Sequence, residues 1–294
     1  MIPENFIQAM ASSDVLAVVF FSLLLGYSLL VIGESRAAPV TRFFVSLNEA
    51  VMALTGLIMR LAPFGVGALI VALLARYDNL AQLIQSVGMY MLTVALALAL
   101  HVCFYLVLVW RLGRVNPFGF LRHMAPMLST AFSTASSSAT LPITFDCVEK
   151  AGVSQRVRGF VLPIGATVNM DGTALYEAVA AMFIAQMVGV DLTFPQQILV
   201  FLTSMGAAVG AAGIPSAGLV TMAAVLTAVG LPLEGIGLIL AVDRILDMCR
   251  TSVNVLGDAV TCRIVQTLNP EQTDEPAPGE KRPAMSPGEV EELV

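Results

Sequence analysis

From Leu192 to Leu233 the chain runs without a charged residue, and at the middle of that run stands GAAVGAAGIPSAG, residues 206–218. A hydrocarbon core about 30 Å thick takes roughly 20 helical residues. The segment is therefore too long for one crossing, and Gly and Pro interrupt it where lipid would leave backbone groups unpaired. Broken backbone at membrane depth survives only when buried in protein or lining a wet cavity. The composition agrees with a membrane setting: mean hydropathy is +0.84, 57% of residues are hydrophobic and only 12% are charged, which excludes an ordinary soluble domain.

The same ruler marks simple spans at 14–33, 43–74 and 85–110, the second carrying Arg60 and Pro63, where a bend is expected. A further span, 159–188, is interrupted by NMDG, and the last, 236–266, carries charges. Met124 to Cys147 is long enough to cross, but its centre is hydroxyl-rich and is followed by Pro142. Arg111, Arg114 and Arg122 precede it and Lys150, Arg156 and Arg158 follow it, so the positive-inside rule puts both flanks in the cytoplasm. The expectation is a re-entrant hairpin over 120–150. The uncharged 192–233 segment has no Lys or Arg near Asp191 or Glu234 and reads as a hairpin open to the outside. Arg36, Arg42, Arg263, Lys281 and Arg282 fall inside on this scheme, with Arg76 the exception. An inward hairpin plus an interrupted helix is thus echoed by an outward hairpin plus a polar helix. Inverted repeats built on broken helices characterise secondary transporters, whose site lies where the breaks meet.

Other features set limits. The net charge of −6 comes mostly from the Pro-, Glu- and Gly-rich stretch 269–294, expected to be a disordered cytoplasmic tail. No basic stretch points to nucleic acid. Cys103, Cys147, Cys249 and Cys262 lack the close spacing of a zinc or redox motif and read as buried small hydrophobes. The start, MIPENFIQAM, has no basic region or early cleavage site and does not read as a signal peptide.

The charged span, AVDRILDMCRTSVNVLGDAV at 241–260, contains the chemistry. At 100° per residue, Asp243, Asp247, Arg250, Asn254 and Asp258 fall within an arc of about 80°. A charge at the bilayer centre costs roughly 2.5–3.5 kcal/mol even on lenient scales, so this stripe faces a cavity or partners. Buried ion pairing between helices is the plainer reading, and it suits Asp243 best. Asp247 and Arg250, one turn apart, offer what an acidic amino acid needs: a guanidinium for a carboxylate and a carboxylate for an ammonium. TVNMDGTALYE, 167–177, offers oxygen ligands in Asn169 and Asp171, and unwinding there would free carbonyls at Gly165, Thr167 and Met170. Hard oxygen donors without a His or Cys cluster suit a hard cation such as sodium, although a helix break around a satisfied Asp171 would look the same. Glu177 reads equally as a proton carrier or a partnered structural carboxylate. Ser136, Ser137 and Ser138 and the loop 210–218 mark the hairpin tips, able to grip a carboxylate or ion, or merely to turn the chain.

Catalysis fits poorly. Val255–Asp258 supplies only the last two positions of a G-x-G-D motif, Gly213–Gly218 reads G-x-x-S-x-G rather than G-x-S-x-G, and His101 and His123 have no evident nucleophile. A channel is a third reading, but hairpins opening to opposite faces suit alternating access better.

STASSSATLPITFDC, NMDGTALYEAVAAMFIAQ, GAAGIPSAGLVTM and DRILDMCRTSVNVLGD occur in that order, and together they resemble the glutamate transporter family of sodium- or proton-coupled symporters, which includes the excitatory amino acid transporters. The resemblance runs to about residue 268. It implies an all-α membrane fold with two re-entrant hairpins in an inverted repeat, homotrimeric assembly in the cell membrane, and an elevator motion. The partial scaffold would be 1–78 and the transport domain 79–268. The function implied is symport of glutamate or aspartate; a C4-dicarboxylate symporter is the alternative.

By motif, substrate contacts would come from Ser136, Ser137 and Ser138, Thr173, Gly213 and Ile214, and Asp247, Arg250, Thr251 and Asn254. Arg250 would take the side-chain carboxylate and Asp247 the amino group. One sodium would use Gly165, Asn169, Asn254 and Asp258, another the carbonyls of Thr167, Met170, Ala208, Val209 and Ala211, and a further ion Asn169 and Asp171. Glu177 matches the position linked to proton coupling. The chain departs from the pattern in three ways. The family has further helices before the point where this chain begins, so it reads as amino-terminally incomplete. Met248 stands where excitatory transporters carry an arginine, and Ala135 where some prokaryotic members carry one, which puts potassium countertransport in doubt. Ala208 replaces a common serine, although its expected ligand is a carbonyl.

Overall fold

The computed structural model describes residues 6–11, 15–76, 80–211 and 213–269. The expected tail lies, but for Asn269, outside the described residues. Among the described residues every regular element is helical, and two compact units divide near Ile84.

The first unit holds α1 (Phe6–Ala11), α2 (Val15–Ile32) and α3 (Glu34–Arg76). Gly33, at φ +83°, separates α2 from α3 in a left-handed conformation that costs glycine little. The Ala37 N–H then donates to its carbonyl at 3.0 Å, opening α3. α3 begins well before the expected span at 43 and stays one helix through Pro63. Phe43, Phe44, Leu57, Leu61 and Phe64 stand exposed along it.

The second unit is built on α11 (Ile236–Leu268), entered by a 3-10 turn at Leu233–Gly235. Around α11 pack α5 (Pro117–Thr134), α6 (Ser137–Lys150), α7 (Gln155–Val168), α8 (Asp171–Met187) and α10 (Ala217–Ala228). α9 (Phe194–Val209) lies on α8 and α10. From α4 (Leu80–Arg111), Tyr90 stacks on Phe183 of α8 with ring centroids 4.7 Å apart. Among the described residues only α4, over Ala81–Arg111, is by itself long and apolar enough to cross a membrane. α9 and α10 are apolar, but at 16 and 12 residues they reach only about 24 and 18 Å.

α5 and α6 pack against each other across a tight turn. It turns at Ala135, whose φ of +51° is left-handed, and Ser136, whose Oγ caps α6 by accepting from the Ala139 N–H at 3.1 Å. The turn therefore takes in only the first residue of the serine run: Ser136 caps α6, and Ser137 and Ser138 already belong to it. α9 and α10 pack likewise, with Ser216 at φ +60° before α10. The break between α7 and α8 is confined to Asn169 and Met170, which leave helical geometry at ψ 75° and 46°. It is narrower than the sequence implies. The Asn169 N–H still donates to the Gly165 carbonyl at 2.9 Å, and the Met170 carbonyl accepts from the Ala174 N–H at 2.9 Å. These two carbonyls are thus not freed by unwinding, and each has one lone pair left.

Candidate functional site

The two tips meet. Ser136 Oγ donates to the Gly213 carbonyl at 2.7 Å, and the Ser138 N–H donates to the same oxygen at 3.2 Å. A Cβ at Gly213 would lie 2.6 Å from Ser138 Oγ and 3.0 Å from the Ala166 carbonyl, so this closure needs a glycine. Gly218, at the start of α10, sits on the guanidinium of Arg250, where a Cβ would come within 2.6 Å of Nη1.

Arg250 is only 2% exposed, the largest of the fully buried side chains. Its Nη2 lies 2.9 Å from Asp247 Oδ1 and its Nη1 3.5 Å from Asp243 Oδ1, and the cation sits over the Tyr176 ring, 4.4 Å from the centroid. The Tyr176 hydroxyl donates to Asp243 Oδ1 at 2.7 Å, giving Asp243 a structural partner. Asp247 faces two ways, since its Oδ2 accepts the Ser216 N–H at 2.7 Å and its Oδ1 the Thr251 hydroxyl at 3.4 Å. One carboxylate thereby links Arg250 to the second tip. Arg250, Asp247, Thr251, Asn254, Thr173 and Gly213 border a space of about 10 Å³, with Ser137 and Ile214 also on its wall. That is room for about one water. Ser138 is the exception in the serine run, its side chain exposed.

Below this, Asn254 Nδ2 donates to Thr173 Oγ1 at 3.1 Å and to Met170 Sδ at 3.3 Å, while its Oδ1 accepts the Gly172 N–H at 2.8 Å. Asn169 Nδ2 donates to Asp258 Oδ1 at 2.9 Å. The Asp258 carboxylate presses on Gly165, filling the place a Cβ there would take. The helix break therefore brings Gly165, Asn169 and Asp258 together, a carbonyl, an amide and a carboxylate whose oxygen chemistry fits a sodium ion. Met170, Ala208 and Ala211 pack as a second buried cluster. The Ala208 carbonyl accepts from the Ala211 N–H at 3.0 Å, and Val209 is half-buried beside it. Thr167 is exposed, its hydroxyl returned to the Ile164 carbonyl at 3.0 Å. Glu177, fully buried, accepts from the Thr221 hydroxyl through Oε1, while its Oε2 has no hydrogen-bond partner among the described residues.

Sequence reasoning missed the partners of Asp171. His101 Nε2 lies 2.6 Å from Asp171 Oδ2, which the Tyr105 hydroxyl also engages, and the Gly172 N–H donates to Oδ1 at 2.8 Å. The available signal was a His and a Tyr four apart, on one face of an apolar helix. Tyr176, Ser216 and Thr221 were likewise invisible, since each acts through a residue far away in sequence.

Short helices, meeting tips and a buried guanidinium between two carboxylates are thus gathered around α11. The chain belongs to the sodium:dicarboxylate symporter family, whose model matches residues 1–268, and it is a multi-pass membrane protein. It is 48% identical over 261 residues to an excitatory amino acid transporter of Caenorhabditis elegans, covering 88% of this chain and 52% of that one. An excitatory amino acid transporter of Onchocerca volvulus is 47% identical, covering 88% and 53%. Excitatory amino acid transporter 4 of Mus musculus is 48% identical over 265 residues, covering 89% and 47%. The chain thus spans about half the length of these relatives.

Proposed function

We propose that this chain carries the substrate- and ion-binding part of a sodium-coupled symporter for acidic amino acids, glutamate or aspartate. The observation that carries the reading is the buried Arg250–Asp247 pair, at 2.9 Å, held under the second tip. An incoming amino acid exchanges this internal pair for two external ones. Its side-chain carboxylate takes the guanidinium bidentately, and its ammonium takes Asp247. Asp247 then no longer competes for Arg250, and the Ser216 N–H that it holds joins substrate occupancy to the position of the second tip. Ser136, Ser137 and Ser138, Thr173, Gly213 and Ile214, Thr251 and Asn254 complete the substrate's surroundings.

Sodium is the co-substrate. Gly165, Asn169, Asn254 and Asp258 form one site, carbonyls of Thr167, Met170, Ala208, Val209 and Ala211 another, and Asn169 with Asp171 a further one. Glu177 serves protons. The helix pairs around Ala135–Ser136 and Gly213–Ser216 act as re-entrant hairpins from opposite faces, in an inverted repeat. Residues up to 78 belong to a scaffold and 79–268 to a transport domain moving as an elevator within a homotrimer, with the carboxyl terminus in the cytoplasm. Replacing Arg250 by Cys tests the reading. Preference shifts from glutamate toward neutral amino acids such as serine, with glutamate uptake falling at least about 100-fold for the loss of a buried charged contact. Unchanged glutamate selectivity refutes it, and succinate displacing labelled glutamate from the parent protein would favour a dicarboxylate substrate.

A further inference from the structure

Helix α8 packs against α9, α10 and α11, and Glu177 near its middle is fully buried. Its Oε1 accepts from the Thr221 hydroxyl, while Oε2 has no hydrogen-bond partner among the described residues. A buried carboxylate short of donors is costly in its charged form, so the one donor it does have weighs heavily on its charge. The neighbouring elements offer few other groups. α9 and α10 contain no ionisable side chain. α11 brings Arg250, the charged group that acts on Glu177, but this guanidinium is already engaged by Asp247, Asp243 and the Tyr176 ring. Tyr90 of α4 packs its ring against Tyr176 and Phe183. Of the two threonines in α10, Thr227 is exposed and returns its hydroxyl to the Ala223 carbonyl of its own helix. Thr221 alone crosses to α8.

The Thr221 hydroxyl has a second place to send its proton, because the Gly218 and Ala217 carbonyls lie 3.2 and 3.3 Å from its oxygen. A hydroxyl both donates and accepts. When Glu177 is ionised, Thr221 donates to Oε1. When Glu177 is protonated, the acid donates to Thr221, which turns its own proton to the Gly218 carbonyl. Both states of Glu177 therefore find a partner without moving a helix. That partner stands on the helix that begins at the second tip, one turn beyond Gly218, which itself rests on the Arg250 guanidinium. We infer that Thr221 is a positioning residue for Glu177, joining the arrival and departure of its proton to the helix of the second tip. The inference rests on the reading above in which Glu177 serves protons. Its sign follows from the chemistry: a hydroxyl donating to a carboxylate favours the ionised form, so without it Glu177 holds its proton to higher pH.

The test is uptake of radiolabelled glutamate by the full chain in proteoliposomes, with external pH varied and internal pH held. Parent, Glu177→Gln, Thr221→Val, Thr221→Ala and Thr221→Ser are compared by the ratio of maximal rate to KM, which reports the ionisations of the free carrier. In the parent this ratio falls as the pH rises, and Glu177→Gln flattens the fall. A parent without uptake or without that fall, or a fall that survives in Glu177→Gln, sinks the underlying reading and the inference with it. If the reading holds, Thr221→Val and Thr221→Ala move the fall upward by about one pH unit, the scale of a lost hydrogen bond to a buried charge. Thr221→Ser returns it to the parent's position. A hydroxyl that serves only α10, through the Ala217 and Gly218 carbonyls, would lower the maximal rate equally at every pH. That outcome, loss of both hydroxyl-free variants from the membrane, or a fall that stays at the parent's pH in both, overturns the inference.

Discussion

At the scale of single residues, the site depends on saturating a few buried charges. The Tyr176 hydroxyl is the closest partner of Asp243, at 2.7 Å against 3.5 Å for Arg250 Nη1. Tyr176→Phe keeps the ring under the guanidinium but removes the donor, leaving a buried carboxylate short of one hydrogen bond. The expected loss is about 1–3 kcal/mol of stability, read as a lower thermal midpoint of the purified protein in detergent. An unchanged midpoint would show that Asp243 does not depend on the hydroxyl. Periodicity made the α11 stripe legible, because Asp243, Asp247, Arg250, Asn254 and Asp258 share one helix and are arranged by its pitch alone. Its partners outside the helix were not, since Tyr176 reaches it from α8 and Ser216 from the tip before α10. Asp171 teaches the same lesson. Its residue type suggested an ion ligand, while its neighbours here, His101 and Tyr105, come from a helix with no motif to announce them.

At the scale of elements, length and breakers in the sequence located both helix pairs and the α7–α8 break, but not their fine structure. The turn between α5 and α6 falls at Ala135–Ser136, so that only the first serine of the run lies in it, because helix capping decides where α6 begins. The α7–α8 break involves only two residues, since helical hydrogen bonds persist on either side. What no single segment could reveal is that the tips bond to each other through the Gly213 carbonyl. Gly213→Ala should force them apart, because a Cβ has no room against Ser138 Oγ and the Ala166 carbonyl. Accessibility of a cysteine at position 136 to a membrane-impermeant thiol reagent is expected to rise several-fold in this variant, with glutamate uptake reduced at least about tenfold. Equal labelling with and without the substitution would mean that the tips do not need this close approach.

At the scale of the whole molecule, the described residues divide into two units. The first exposes Phe43, Phe44, Leu57, Leu61 and Phe64 along α3, while the second collects the buried charges around α11. Hydropathy anticipated a multi-pass membrane protein. The central claim is that binding of an acidic amino acid is tied to sodium through one buried polar helix. Uptake of radiolabelled glutamate into proteoliposomes containing the full chain tests it most directly. The account predicts accumulation above the external concentration when sodium is high outside and low inside, abolished when choline replaces sodium. Equal uptake with and without the sodium gradient, or equilibration without accumulation, would contradict it.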